Sequence, residues 1–253
     1  MDLQLTGARV LVTGGTRGIG RAIVEEFVHE GAHVEFCARD AREIEATEKT
    51  LADRGPDVRG VELDVRNGGE LRHWVEAAAG RLGGIDAVVA NVSAIAVPDT
   101  EENWYAGFET DLMHTVRLSQ AALPYLEASS HGSIVAISSV SGREADFAAG
   151  PYATMKTAIV GYMKGLAFQL AERGVRANVV SPGNTYFDGG VWQQIENGDP
   201  ALYSMAVGLN PTGRMGTPED SARAVVFLSS PVSGRTTGTH LVVDGGLTRG
   251  IQL

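Results

Sequence analysis

Cysteine is almost absent from this chain, which has Cys37 alone among 253 residues. One cysteine forms no internal disulfide, and a thiol inside an apolar run is typical of a buried structural cysteine in a reducing compartment. The sequence also has no apolar run long enough to span a bilayer, and no basic segment followed by an apolar stretch at its start. We therefore expect a cytoplasmic protein with no membrane partner and no signal peptide.

The chain also has few basic residues. It contains 21 lysines and arginines against 31 aspartates and glutamates, so its formal net charge is -10. An acidic surface of this kind argues against nucleic acid or an anionic membrane as a partner. Long charge blocks, low-complexity tracts and internal repeats are missing as well. What remains is the composition of an ordinary globular domain, in which we expect no metal site.

Short apolar runs typical of β-strands alternate with helical patterns along the whole chain. Strands are predicted at residues 9–13, 33–38, 58–63, 86–90, 132–137, 176–181 and 240–244, and helices at residues 19–30, 41–54, 69–82, 102–127, 152–172 and 218–229. Strict alternation with near-continuous apolar strands predicts an α/β fold. We expect a single doubly wound domain over residues 1–253, with one mostly parallel, seven-stranded sheet and helices on both faces.

Three glycines, Gly14, Gly18 and Gly20, lie between the first predicted strand and the first predicted helix. Glycines in such a turn let backbone N–H groups approach a pyrophosphate at the helix N-terminus. The spacing is compatible with a tight turn that binds nothing, but the strand before it and the helix after it favour a dinucleotide. The cofactor-binding residues predicted here are Gly14, Thr16, Arg17, Gly18, Ile19 and Gly20.

The end of the second predicted strand, Ala38-Arg39-Asp40, is where the adenosine ribose of a dinucleotide is expected. An acidic residue at the strand end favours NAD, whereas an arginine can pair with the extra phosphate of NADP. Ala38 supplies no carboxylate, and both Arg39 and Arg17 could reach that phosphate. The residues therefore favour NADP(H), while Asp40, or two merely solvated arginines, would leave NAD(H) possible.

Tyr152 and Lys156 are four residues apart on a predicted helix, so they share one face. A nearby ammonium favours the phenolate form of a tyrosine, which can act as general acid in reduction and general base in oxidation. Ser139 follows the fifth predicted strand, and its hydroxyl could donate to a carbonyl oxygen in the same crevice. Alone, the pair would be ordinary surface residues and the serine a loop cap. Together with the glycine turn, they predict hydride transfer to or from a carbonyl carbon.

The chain resembles the short-chain dehydrogenase/reductase family along nearly its whole length, and in particular the NADP-preferring 3-oxoacyl-carrier-protein reductases. The matching motifs are the glycine turn, Leu63-Asp64-Val65, Asn91, Ile137-Ser138-Ser139, Tyr152-x3-Lys156, Ser181-Pro182-Gly183 and Val243-Asp244-Gly245-Gly246. The resemblance implies a Rossmann-type fold and an NAD(P)-dependent oxidoreductase that acts on a ketone or a secondary alcohol. It also implies a homotetramer built through the long central helices.

The resemblance assigns roles to single residues. Ser139 and Tyr152 would be catalytic, and Tyr152 would also contact the cofactor. Lys156 would hold the nicotinamide ribose and favour the phenolate of Tyr152. The remaining residues implied to bind the cofactor are Asp64 and Val65 at the adenine, Asn91 after the fourth strand, and Pro182, Gly183 and Thr185 at the nicotinamide carboxamide.

Three departures from the family pattern bear on the site. The family usually has asparagine where this chain has Asp111, which we take as a catalytic candidate, and a carboxylate that points at Lys156 would change the proton relay. The family's Asn-Asn-Ala-Gly becomes Ala90-Asn91-Val92-Ser93, which brings larger side chains near the adenosine. Further on, Thr185 and Phe187 replace the usual isoleucine and a later threonine.

Residues 184–216 show no clear periodicity and are too long for an ordinary connection, so we expect an irregular substrate lid there. The segment is rich in aromatic residues and methionine, which suit an apolar pocket but would equally pack the lid against the body. The candidate substrate contacts are Ser141, Arg143, Phe147 and Trp192. Arg143 could meet an anionic group, although a solvated arginine explains it as well.

The favoured function is an NADP(H)-dependent oxidoreductase for a small-molecule ketone or secondary alcohol. Bulky hydrophobic or cyclic carbonyl compounds come first, and 3-oxoacyl thioesters next. The alternative is a non-catalytic dinucleotide-binding regulator on the same scaffold, which Asp111 leaves open and an intact Ser139, Tyr152 and Lys156 disfavour. Redox epimerisation on a bound nucleotide is a third possibility, but the chain shows no extra substrate domain.

Overall fold

Seven strands form one parallel sheet in the computed structural model, which describes residues 2–52 and 54–251. In chain order they are β1 (Arg9–Thr13), β2 (His33–Ala38), β3 (Val58–Glu62), β4 (Ala87–Ala90), β5 (Ser133–Ile137), β6 (Arg176–Pro182) and β7 (His240–Val243). Their order across the sheet is β3-β2-β1-β4-β5-β6-β7, and every adjacent pair is parallel. The predicted doubly wound sheet is confirmed.

Nine α-helices are present in the described part of the chain. They are α1 (Gly18–His29), α2 (Ala41–Leu51), α3 (Gly68–Leu82), α4 (Glu101–Gly107), α5 (His114–Ala128), α6 (Pro151–Leu170), α7 (Val191–Gly198), α8 (Pro200–Leu209) and α9 (Pro218–Ser229). None of them has the length and apolar character needed to cross a membrane.

A π-helical turn, Phe108–Met113, separates α4 from α5. The sequence predicted one continuous helix over residues 102–127, and this prediction was wrong at the turn. A π turn closes i→i+5 hydrogen bonds, one residue wider than an α turn, and hydrophobic periodicity does not reveal a single wide turn inside a helical pattern. The turn carries Asp111, so it bears directly on the site.

The sheet is apolar on both faces because side chains alternate along each buried strand. In β4, Val88 packs into the core under α3, α5 and α6, whereas Val89 packs into the core under α1 and α9. Cys37 lies fully buried in the first of these cores, and burial raises the pKa of its thiol to about 12. The predicted buried structural cysteine is confirmed.

The segment 184–216 differs from the irregular lid that the sequence predicted, because it contains α7 and α8. Its glycines and prolines mark helix ends. Gly190 precedes α7, and Asp199 caps α8 by accepting a hydrogen bond from the Leu202 N–H at 3.0 Å. The small buried core of this segment consists of Trp192, Ala206 and Met215. Helix breakers at short intervals hid two short helical patterns from the sequence analysis.

The strand order reverses between β1 and β4, since the chain builds the sheet outward from β1 in one direction and from β4 in the other. Connections therefore leave the carboxyl ends of these two strands on opposite faces, and a crevice opens between them. The glycine turn follows β1, Asn91 follows β4 and Ser139 follows β5. The candidate residues from distant parts of the chain thus lie along one edge of the sheet.

Candidate active site

The turn between β1 and α1 presents bare backbone to the crevice. Arg17, the residue before α1, forms no side-chain cap, so it leaves the first amides of the helix without a partner of its own. Gly14 and Gly18 have φ angles of 72° and 53°, which glycine adopts without strain. A Cβ on Gly20 would lie 2.0 Å from the carbonyl oxygen of Gly14. The turn therefore fits a pyrophosphate at the N-terminus of α1.

Asn91 braces this turn from the end of β4. Its side-chain amide donates to the carbonyl oxygens of Thr13 at 3.0 Å and Gly14 at 3.3 Å. Its backbone N–H donates to Thr13 Oγ1 at 3.0 Å. The sequence predicted a cofactor contact for Asn91, and the structure places its side chain on the turn itself. A substitution of Asn91 would therefore change the shape of the glycine turn as well as any contact between the amide and a dinucleotide.

Two arginines lie exposed at the adenosine end of the crevice. Arg17 and Arg39 form no ion pair within the described ranges. Asp40, which had left NAD(H) possible, is the N-cap of α2 and accepts from the Glu43 N–H at 3.2 Å. The Thr16 hydroxyl of the glycine turn donates to Glu43 Oε2 at 2.7 Å. Both acidic groups here have structural partners, whereas the two guanidinium groups are available to a ligand.

Asp64, the residue implied to bind adenine, forms an exposed ion pair with Arg66 at 2.6 Å. The hydrogen bond from Arg66 holds the pKa of Asp64 below its usual value. A carboxylate has more acceptor positions than this pair uses, so Asp64 can still accept a hydrogen bond from an exocyclic amine. Val65, beside it, is buried in the core under α3 and holds the strand end in place.

Lys156 is buried under the loop that carries Ser139. Its Nζ donates to the carbonyl oxygen of Ile137, the last residue of β5, at 3.1 Å. The Ser138 hydroxyl returns a bond to the carbonyl oxygen of Lys156 at 2.8 Å. A Cβ on Gly142 would lie 2.8 Å from the Lys156 carbonyl carbon, so the loop backbone and α6 touch. These contacts hold the serine loop and α6 together as one unit.

Ser139 lies on the serine loop, and Tyr152 lies on α6. Ser139 caps a short 3-10 helix, Val140–Gly142, by accepting from the Ser141 N–H at 3.2 Å, and its hydroxyl proton remains available to a substrate oxygen. Tyr152 lies in the first turn of α6, and its ring centroid is 5.6 Å from Lys156 Nζ. A hydroxyl donor, a phenol and an ammonium therefore lie at the carboxyl edge of β5.

Asp111 points at Lys156. Its Oδ1 lies 3.0 Å from Lys156 Nζ, and each side chain is only 2% exposed. The carboxylate also accepts from the Ser93 hydroxyl at 2.5 Å and from the Ala94 N–H at 2.8 Å. The π turn thus delivers a carboxylate, rather than a backbone carbonyl alone, to the buried end of the lysine.

His114 connects the π turn to the glycine turn, and the sequence analysis missed it. Its Nδ1 is 3.1 Å from the Thr110 carbonyl oxygen, so Nδ1 carries the proton and Nε2 accepts from the Thr13 hydroxyl at 2.9 Å. Burial lowers the pKa of His114 to about 4, and the ring is neutral at pH 7. A histidine three residues after Asp111 on the inward face of a helix was the available sequence signal.

The loop after Ser139 contacts the lid segment through aromatic rings. Phe147 and Trp192 pack edge to face with ring centroids 5.8 Å apart. Ser141 is buried and donates to Asp146 Oδ2 at 2.6 Å, which shapes the loop. Arg143 has a buried Nε without a hydrogen-bond partner among the described residues. Two predicted substrate residues thus form one aromatic wall, while Ser141 is engaged within its own loop.

Phe187 covers the glycine turn from the lid side. A Cβ on Gly18 would lie 2.6 Å from the Phe187 ring, so the ring rests directly on the Gly18 backbone. Thr185 Oγ1 donates to the carbonyl oxygen of Gly183 at 3.0 Å, just after β6 ends at Pro182. The segment after β6 therefore closes over the place where the turn would receive a pyrophosphate.

Comparison with known proteins agrees with this geometry. The family model described as enoyl-(acyl carrier protein) reductase matches residues 14–248. The isoepoxydon dehydrogenase patN of Penicillium expansum is 39% identical over 98% of this chain and 97% of its own, and the 3-oxoacyl-[acyl-carrier-protein] reductase FabG of Chlamydia pneumoniae is 31% identical over 98% and 100%. The chain belongs to the short-chain dehydrogenase/reductase family. It is an oxidoreductase that acts on CH–OH or keto groups.

A solved short-chain oxidoreductase has the same fold. The NADPH-bound structure from Pseudomonas aeruginosa PAO1, described as containing an atypical catalytic center, superposes with a TM-score of 0.88. It is 31% identical, and the match covers 97% of this chain and 99% of that one. The short-chain dehydrogenase/reductase fold therefore extends over nearly all of the present chain.

Proposed function

We propose that this short-chain dehydrogenase/reductase transfers a hydride between NADP(H) and a ketone or secondary alcohol. The observation that carries the proposal is the shared placement of Ser139, Tyr152 and Lys156. The Ser139 loop bonds to the backbone of α6, and the ammonium of Lys156 lies 5.6 Å from the Tyr152 ring. This edge of the sheet also carries the glycine turn, so an acid and a hydroxyl donor face the crevice where a dinucleotide fits.

The chain's own residues account for the proton and the charge in carbonyl reduction. When bound, the dinucleotide supplies the hydride to the carbonyl carbon. Ser139 donates a hydrogen bond to the carbonyl oxygen, where negative charge grows. Tyr152 gives its phenolic proton to that oxygen and completes the alcohol. In oxidation, the phenolate takes the alcohol proton back.

Backbone amides and two arginines would bind the dinucleotide. The amides at the start of α1 would hold the pyrophosphate, and Arg17 and Arg39 would hold the extra phosphate of NADP. The lysine at position 156 would hold the nicotinamide ribose. The NADPH in the related Pseudomonas structure supports this choice over NAD.

Arg39→Ala is expected to reduce the preference for NADPH over NADH by about tenfold or more, because a charge-assisted bond to the phosphate is lost. Fluorescence titration with both cofactors measures the ratio. Arg59→Ala, which removes another exposed guanidinium at the next strand, is the matched control and should leave the ratio unchanged. An unchanged ratio in Arg39→Ala would refute the assignment of the phosphate site.

We propose that the substrate is a small cyclic or otherwise bulky apolar carbonyl compound, with residues 184–216 acting as a lid over it. The edge-to-face pair of Phe147 and Trp192 supports an apolar wall. The isoepoxydon dehydrogenase name of a 39% identical relative supports a small-molecule substrate, and the FabG relative keeps 3-oxoacyl thioesters as the second class. NADPH consumption with a panel of cyclic ketones and 3-oxoacyl thioesters tests both. Cofactor binding without turnover of any carbonyl compound would favour a regulator instead.

We also propose a homotetramer in the cytoplasm. A large apolar side chain lies exposed on the long helix α6, where Phe168 is 87% exposed. Such exposure on a helix is typical of a surface that another subunit covers. Phe168→Glu is expected to give smaller assemblies in sedimentation velocity, and a monomeric parent protein would contradict the proposal.

A further inference from the structure

The buried contact between Asp111 and Lys156 places opposite charges where the family pattern has an amide. The two side chains are each 2% exposed, and Oδ1 and Nζ are 3.0 Å apart. The carboxylate has two further donors, the Ser93 hydroxyl and the Ala94 N–H. Three donors, one of them the ammonium of Lys156, thus hold a carboxylate that is excluded from water.

Among the described residues, the other groups packed around the pair add no second negative charge beside Lys156. His114 of α5 is neutral at pH 7, since burial lowers its pKa to about 4. Arg117, farther along α5, pairs with Glu109 at 2.7 Å. On the strand side, the Ile137 carbonyl oxygen accepts a hydrogen bond from the Lys156 ammonium. Within residues 2–52 and 54–251, Asp111 is therefore the carboxylate that bonds directly to the ammonium of Lys156.

The phenol of Tyr152 faces the same ammonium. A positive charge near a phenol favours the phenolate, and a negative charge beside that positive charge opposes it. Water screens such effects at a surface, but both members of this pair are buried. The carboxylate, 3.0 Å from the ammonium, therefore weakens the field of the cation that lies 5.6 Å from the Tyr152 ring.

We propose that Asp111 is a positioning residue that holds Lys156 and partly offsets the charge that its ammonium presents to Tyr152. The proposal rests on the proposed function of Tyr152 as acid and base. A protonated phenol is the form that carbonyl reduction consumes, whereas alcohol oxidation needs the phenolate. Asp111 therefore bears on the pH range in which each direction runs, whereas the equilibrium between ketone and alcohol does not depend on the enzyme.

Asp111→Asn tests the offset. The expected result is that the acid limb of the pH profile for alcohol oxidation moves to lower pH by about one unit, because the ammonium then acts on the phenol without a counter-charge. On that acid limb, kcat for oxidation should therefore rise about tenfold. Asparagine is the residue that the family usually carries here, so the variant is expected to fold, and a thermal melt with NADPH titration checks this.

Two controls separate charge from packing. Asp111→Glu keeps the negative charge, and its acid limb should stay with that of the parent protein. Asp86→Asn removes another buried carboxylate, paired with Arg9 at the opposite end of the sheet, and should leave the limb in place. An acid limb that does not move in Asp111→Asn, or moves equally in Asp111→Glu, overturns the proposal. Should Asp111→Asn fail to bind NADPH, Asp111→Ser takes its place.

A spectroscopic measurement makes the test independent of turnover. The ultraviolet absorbance of tyrosinate is recorded against pH for the NADP-bound protein, and the same record from Tyr152→Phe is subtracted. We expect the tyrosinate of Tyr152 to form at lower pH in Asp111→Asn than in the parent. If no alcohol or ketone reacts with the parent protein, the proposed function fails, yet this difference still decides whether Asp111 offsets the lysine.

Discussion

Tyr152→Phe is expected to lower kcat by about 10²- to 10⁴-fold, the usual contribution of a general acid or base. The substitution removes one oxygen and keeps the ring. Lys156, 5.6 Å from that ring, keeps its bonds to Asp111 and Ile137. NADPH affinity should therefore change by less than about threefold, since the substitution removes a single oxygen from a cradle that other residues mostly build. Steady-state reduction of a ketone and a fluorescence titration with NADPH measure the two quantities.

Tyr105→Phe is the matched control for this prediction. It makes the same chemical change at an exposed tyrosine of α4, and turnover should stay at the parent level. Full activity in Tyr152→Phe would show that another group supplies the proton. Loss of NADPH binding in Tyr152→Phe would show a structural defect instead. Turnover in the parent protein would also exclude the non-catalytic regulator as the function.

Gly20→Ala is expected to weaken NADPH binding by about 100-fold and to lower the melting temperature. The added methyl group would lie 2.0 Å from the Gly14 carbonyl oxygen and 2.4 Å from the Asn91 side-chain amide. Neither contact can persist, so the turn must move away from α1. Overpacking of this kind costs about 1–3 kcal/mol, and the displaced amides no longer converge on a pyrophosphate. NADPH titration and a thermal melt measure both effects.

Gly80→Ala serves as the control for the glycine substitution. Gly80 lies inside α3, and nothing lies within 4 Å of the position of an added Cβ. Alanine is the better helix former by about 0.5–1 kcal/mol, so this variant should melt at or above the parent temperature and bind NADPH normally. Equal NADPH affinity in Gly20→Ala and the parent would mean that the turn is not the phosphate cradle.

Much of the fold could be predicted from the sequence because its strands are buried on both faces. A run such as Ala87–Ala90 has no polar residue, with the polar residues Asp86 before it and Asn91 after it. The predicted strand bounds therefore agree with the structure to within one residue. Helix interiors were equally clear, whereas the short helices α7 and α8 lacked the length for a visible apolar period.

The candidate site could be predicted less completely, because its details depend on three-dimensional direction. The residue types at Ser139, Tyr152 and Lys156 were enough to predict a hydroxyl donor, a general acid or base and an ammonium. The direction of Asp111 was not, since it depends on how a wide helical turn rotates the side chain. Phe187 was visible only as a departure from a family pattern, and its contact with Gly18 joins parts of the chain far apart in sequence.

The π turn at Phe108–Met113 also sets the angular phase between two helices. Each residue of an α-helix advances the chain by about 100°, so deletion of one residue just after Asp111 would swing its carboxylate about a third of a revolution from Lys156. The apolar stripe of α5 would stay on the sheet throughout. A single in-frame codon loss at this turn would thus separate the two charges.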